Sequence, residues 1–153
     1  MPAQNPHDKN SESVSKLALQ FLASAIGYCP AGLEHTTNQD IVFAVVGFQY
    51  GAIQSAAYVS GLDETAAISI AEEVIGNLNG MEKETVLKFI DVMPMLSRKE
   101  YPPIVIGGRA IIRFYNAFTE AEKTAAATLL SDILRQIDAQ QADRMNTSDQ
   151  NRL

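Results

Sequence analysis

The stretch "IVFAVVGFQYGAIQSAAYV", residues 41–59, constrains this chain more than any other part of it. Placed on a helix at ~100° per residue, its apolar side chains go all the way round. Ile41, Val45, Phe48, Ala52 and Val59 lie on one side, and Val42, Val46 and Ile53 on another. A helix of that kind is buried in a core or in a bilayer. It is expected to start at Asn38 or Asp40 and run to Ser60, with Gly61 as its stop. Its length is barely enough for a bilayer, and Gln49, Gln54, Ser55 and the tyrosines interrupt it. A central core helix and no membrane partner is therefore the expectation.

Two glycines, Gly47 and Gly51, sit inside this helix. Each costs about 1 kcal/mol relative to alanine. With Ser55 they form a ladder of small residues that lets another backbone come close. Close packing against a neighbouring helix explains the ladder most simply. Tyr50, Gln54 and Tyr58 recur at four-residue spacing near the same angle. Small residues flanked by aromatics and an amide also suit a dimer seam or a ligand groove.

The rest of the chain reads as further helices with short connections. Residues 1–10 are polar, carry two prolines and read as a flexible arm. Ser11 or Ser13 caps a helix to about Ile26, with Val14, Leu17, Phe21 and Leu22 on its apolar face. Asp63 caps a third helix whose stripe is Ala67, Ile70, Ala71, Val74 and Ile75. A fourth covers Glu82 to Met93, with Val86, Phe89, Ile90 and Met93 inward and Pro94 disturbing its end. Pro103 opens a fifth through "IVIGGRAIIRFYNAF", although its β-branched run and two glycines suit extended chain as well. Thr119 and Glu122 form a capping box before a last helix with Leu129, Leu130, Ile133, Leu134 and Ile137 inward. Residues 143–153 read as a polar tail. The expected fold is all-α: a single-domain bundle of five to six helices, spanning residues 11–142, around a buried helix near residues 40–60.

Charge is segregated along the chain. Net charge is −6, and no Lys or Arg occurs between Lys16 and Lys83. That segment holds Glu34, Asp40, Asp63, Glu64, Glu72, Glu73 and Glu82. One reading is a solvated face that aids solubility. The functional reading is an acidic surface that steers and selects a basic partner protein, with Asp63, Glu64, Glu72 and Glu73 at its centre and Tyr58 as an aromatic anchor. Nucleic acid is not an expected partner, because a phosphate backbone needs a basic footprint. Arg109 and Arg113, four residues apart, are too few for one.

Catalytic and metal motifs are missing. His7 and His35 belong to no ligand spacing, and Cys29 is the only cysteine. Cys29 and His35 share a loop, but acidic and apolar surroundings oppose a thiolate. "IGGR" lacks a phosphate-loop pattern. Glu72 and Glu73 point about 100° apart on a helix and form no acid–base pair. The N-terminal apolar run "LALQFLASAIGY" lacks the basic start of an export signal. The functional expectation is a small cytoplasmic interaction module, an adaptor, inhibitor or immunity-type protein, without cofactor or metal and capable of self-association. The alternative is a ligand-binding bundle with a pocket between the second and fifth helices, along Gly47, Tyr50, Gly51, Gln54 and Arg109.

Overall fold

The computed structural model describes residues 6–30, 36–96 and 102–150. They form an all-α bundle of seven helical segments: α1 (Pro6–Gly27), α2 (Gln39–Val59), α3 (Glu64–Asn79), α4 (Lys83–Leu96), α5 (Pro102–Tyr115), α6 (Glu120–Ala127) and α7 (Leu129–Gln150). Only Thr128 separates α6 from α7, and its amide still bonds the Thr124 carbonyl at 3.0 Å. Counting those two as one interrupted helix gives six.

α2 is the axis of the bundle and touches α1, α3, α4, α5 and α7. Its unbroken buried run, Ala44 to Ile53, follows from the apolar circumference. It is long and apolar enough to cross a bilayer, but 61% of that apolar window is buried within the protein. Asn38 caps it, accepting from the amides of Asp40 at 3.1 Å and Ile41 at 3.4 Å. The same side chain donates to Gln141 Oε1 at 2.8 Å, which ties the start of α2 to α7.

The core is a ring of side chains around α2. Phe21 of α1 lies between Phe48 and Phe114, at centroid distances of 6.0 and 5.1 Å. Phe43 meets Phe89 of α4 edge-on at 5.0 Å. α3 buries Ala67, Ile70, Ala71, Val74 and Ile75, as its periodicity requires. In α1, however, Leu17 is 41% exposed and Ala18 and Ala25 take inward places beside Val14, Phe21 and Leu22. The Leu17 carbonyl accepts a hydrogen bond from the Tyr115 hydroxyl.

Helix ends differ from expectation in three places. α1 begins at Pro6, not at Ser11 or Ser13, so the N-terminal arm is helical over residues 6–10. Proline is tolerated in a first helical turn, whose amides lack partners in any case. α7 continues to Gln150, through the stretch read as a tail. α4 passes Pro94 and ends at Leu96, because a proline so near the end removes a single hydrogen bond. Residues 102–115 are helical throughout, not extended.

One polar pair lies inside the core. Gln49 is fully buried and exchanges hydrogen bonds with Asn79 of α3: Asn79 Nδ2 donates to Gln49 Oε1 at 2.6 Å, and Gln49 Nε2 donates to Asn79 Oδ1 at 3.5 Å. Asn79 Nδ2 also reaches the Ile75 carbonyl at 2.8 Å. A buried amide costs little while paired and much when orphaned. Asn79→Ala is therefore expected to destabilise the fold by about 1–3 kcal/mol in urea unfolding. Gln49→Leu combined with Asn79→Leu should cost less than the single change, since neither amide is then left unpaired.

Candidate functional site

Three glycines and one serine set the geometry of the closest helix pair. A Cβ built on Gly51 would overlap the Ile104 carbonyl oxygen and lie 2.9 Å from Ile104 Cα. One built on Gly107 would overlap the Phe48 carbonyl oxygen and lie 2.9 Å from Phe48 Cα. At Gly108 it would strike Ser55 Oγ and lie 3.2 Å from the Gly51 carbonyl oxygen. α2 and α5 thus touch backbone to backbone, with glycine on both sides. The sequence ladder named one half of this contact; "IGGR" is the other half.

A groove lies beside this crossing. Its cavity volume is about 540 Å³, and its walls include Gly51, Gln54 and Ser55 from α2 with Ile104, Val105, Gly108, Arg109, Ile112 and Arg113 from α5. Among the residues proposed from sequence, Gly51, Gln54 and Arg109 come together here. Gly47 and Tyr50 do not line it, and both are buried. The Tyr50 hydroxyl titrates above the ordinary tyrosine range, first because burial disfavours the phenolate and second because Glu64 is close. Its 6% exposure places it in the helix packing around α2 and not on the groove wall.

The cationic end of the groove is built by α5. Arg109 and Arg113 lie one turn apart, are exposed and line the same cavity. Neither forms an ion pair among the described residues, where Lys123–Glu120 and Arg135–Asp132 are the pairs seen. Val105, one turn before Arg109, is 50% exposed at the apolar end. Arg113 also borders a second hollow of about 560 Å³ with Asn116, Phe118, Glu122 and Leu129. Phe118 is 96% exposed on a fixed backbone, since its amide donates to Glu122 Oε2 at 2.9 Å. Glu122's own amide donates to Thr119 Oγ1 at 3.2 Å, completing the α6 cap.

The acidic residues gather elsewhere, beginning at the corner between α2 and α3. The Leu62 amide bonds the Ala57 carbonyl at 2.9 Å and the Ser60 amide bonds Ala56 at 3.1 Å, while Gly61 adopts φ +78°. This closure buries Leu62 and turns Tyr58 and Val59 outward, 82% and 70% exposed. Asp63 caps α3, accepting from the Ala66 amide at 2.8 Å. Glu64 follows, exposed, in the first turn. Glu72 and Glu73 lie two turns further on, the first half-buried and the second exposed. None of these four carboxylates is ion-paired among the described residues.

Cys29 is half-buried and its thiol donates to the Ala25 carbonyl at 3.4 Å. Burial pushes its pKa up to about 11. His35, the proposed partner, lies outside the described residues, as does Glu34. No group of three His, Cys, Asp or Glu side chains placed to hold a metal occurs among the described residues.

No family model, no curated protein and no solved structure matches this chain.

Two measurements follow from this geometry. Gly51→Ala should gain about 1 kcal/mol in helix propensity yet lose more to overlap with the α5 backbone, for a net cost of roughly 1–3 kcal/mol in urea unfolding. Gly27→Ala, where an added Cβ meets nothing within 4 Å, should be neutral or slightly stabilising. For Cys29, the folded pKa of about 11 exceeds the ordinary thiol value of 9.0, so above pH 9 the unfolded chain has lost a proton that the folded chain keeps. The stability it contributes is present below pH 9 and declines between about pH 9 and 11. Alkylation of the native thiol by iodoacetamide should accordingly be slow at pH 8 and rise steeply toward pH 11.

Proposed function

We propose that the chain is a non-catalytic helical interaction module, of the adaptor, inhibitor or immunity type, that receives a basic partner protein on the corner between α2 and α3. The observation supporting this reading is the rigid presentation of Tyr58 and Val59 beside Asp63 and Glu64. Large apolar side chains are held out on a closed helix-capping turn, next to carboxylates that form no ion pair among the described residues. An aromatic anchor with an acidic surround is the arrangement that combines affinity with electrostatic steering. Glu72 and Glu73 extend the field along α3. A reducing, cytoplasmic setting suits the single, half-buried cysteine.

The test is affinity capture from lysate at two salt concentrations, followed by titration of the captured protein. The partner should be basic, and its association should slow as salt rises. Tyr58→Ala should weaken binding by tenfold or more. Reversal of Glu64, Glu72 and Glu73 to lysine should abolish capture. Binding that is indifferent to both changes would reduce the acidic surface to a solubility feature.

A further inference from the structure

The α2–α5 groove has a chemical polarity of its own, separate from the acidic corner. Ile104 and Val105 line one end, and Arg109 and Arg113 lie one and two turns further along α5. From Val105 to Arg113 the helix rises roughly 12 Å. The α2 wall adds the Gln54 amide and the Ser55 hydroxyl, neither of them in a hydrogen bond among the described residues. Two guanidiniums stand without an ion pair among the described residues, in a chain of net charge −6 where carboxylates are plentiful. An arginine fork fits a carboxylate in a bidentate manner.

The lining also says what does not fit. It contains no aromatic side chain, so a nucleobase lacks the aromatic platform that usually holds it. It contains no carboxylate or imidazole, so a metal ion has no anionic or nitrogen ligand. A small inorganic anion would leave Ile104, Val105 and Ile112 unused. We propose that this groove binds an aliphatic carboxylate, its head on Arg109 and Arg113 and its apolar body along Ile104, Val105 and Ile112. The Gln54 amide and Ser55 hydroxyl edge the site, beside Gly51 and Gly108. This site stands whether or not the acidic corner binds a protein.

Calorimetric titration of the full chain with octanoate tests it, alongside acetate, 1-octanol and a short acidic peptide. Octanoate should bind at one saturable site, with acetate and 1-octanol at least tenfold weaker. The amide resonances of Gly51, Ser55 and Gly108 should shift during the octanoate titration. Arg109→Gln with Arg113→Gln should lower octanoate affinity at least tenfold and leave the urea midpoint near its native value, because both side chains are exposed. Octanoate binding no tighter than 1-octanol, or unchanged in the double variant, overturns the proposal. So does failure of octanoate to bind, with or without capture of the acidic peptide. Reversal of Glu64 and Glu73 serves as the control: loss of protein capture with octanoate affinity retained separates the two sites.

Discussion

The crossing of α2 and α5 is the constraint on which the rest of the bundle depends. Gly51, Gly107 and Gly108 lower helix propensity by about 1 kcal/mol apiece relative to alanine. That loss is offset only if the two backbones reach contact, where dispersion is gained along both helices. Contact brings Phe48 and Phe114 close enough for Phe21 of α1 to sit between them. It also sets α5 so that the Tyr115 hydroxyl meets the Leu17 carbonyl. The core is thus layered outward from one seam, with α3 held on the other side of α2 by the Gln49–Asn79 amide pair.

Much of this architecture was legible in hydrophobic periodicity. α2 announced its central place because apolar residues cover its whole circumference, and α3 because Ala67, Ile70, Ala71, Val74 and Ile75 fall on one stripe. Caps were legible too: Asn38, Asp63 and Thr119 each accept the amide bonds that their positions imply. Helix ends beyond the core were not. Periodicity reports an apolar face, and residues 6–10 and 143–150 carry almost no apolar side chains, so their helicity left no apolar trace. Leu17 failed for a related reason. Its spacing matched the stripe, but small alanines at 18 and 25 brought the neighbouring helices onto a slightly rotated face.

The candidate sites were half legible. Gly51, Gln54 and Arg109 were identified as one stripe and line one groove. Tyr50 shared their spacing but is buried, and its hydroxyl meets the field of Glu64 in place of a ligand. The pairing of "IGGR" with the α2 ladder needed tertiary contact, since nothing in a single sequence says which small-residue face meets which. Phe118 was invisible for the opposite reason. A residue before a helix cap often folds back onto the first turn, and only the coordinates show this ring standing in solvent at 96% exposure.

The seam and the groove are one feature seen from two sides. Glycine at positions 51 and 108 brings the two helices together, and both residues line the groove beside the crossing. The backbone there is already fixed by helix hydrogen bonds, so a bound molecule would not have to order it. The arginines rise from α5 at the same level, while the carboxylates collect past Tyr58, one turn beyond Gln54 on α2. Arg109 and Arg113 form no ion pair among the described residues, although Glu122 borders the second hollow with Arg113, and both guanidiniums stay open to an outside anion. The glycines that the packing requires therefore also stand on the wall of a hollow whose charged side chains are Arg109 and Arg113.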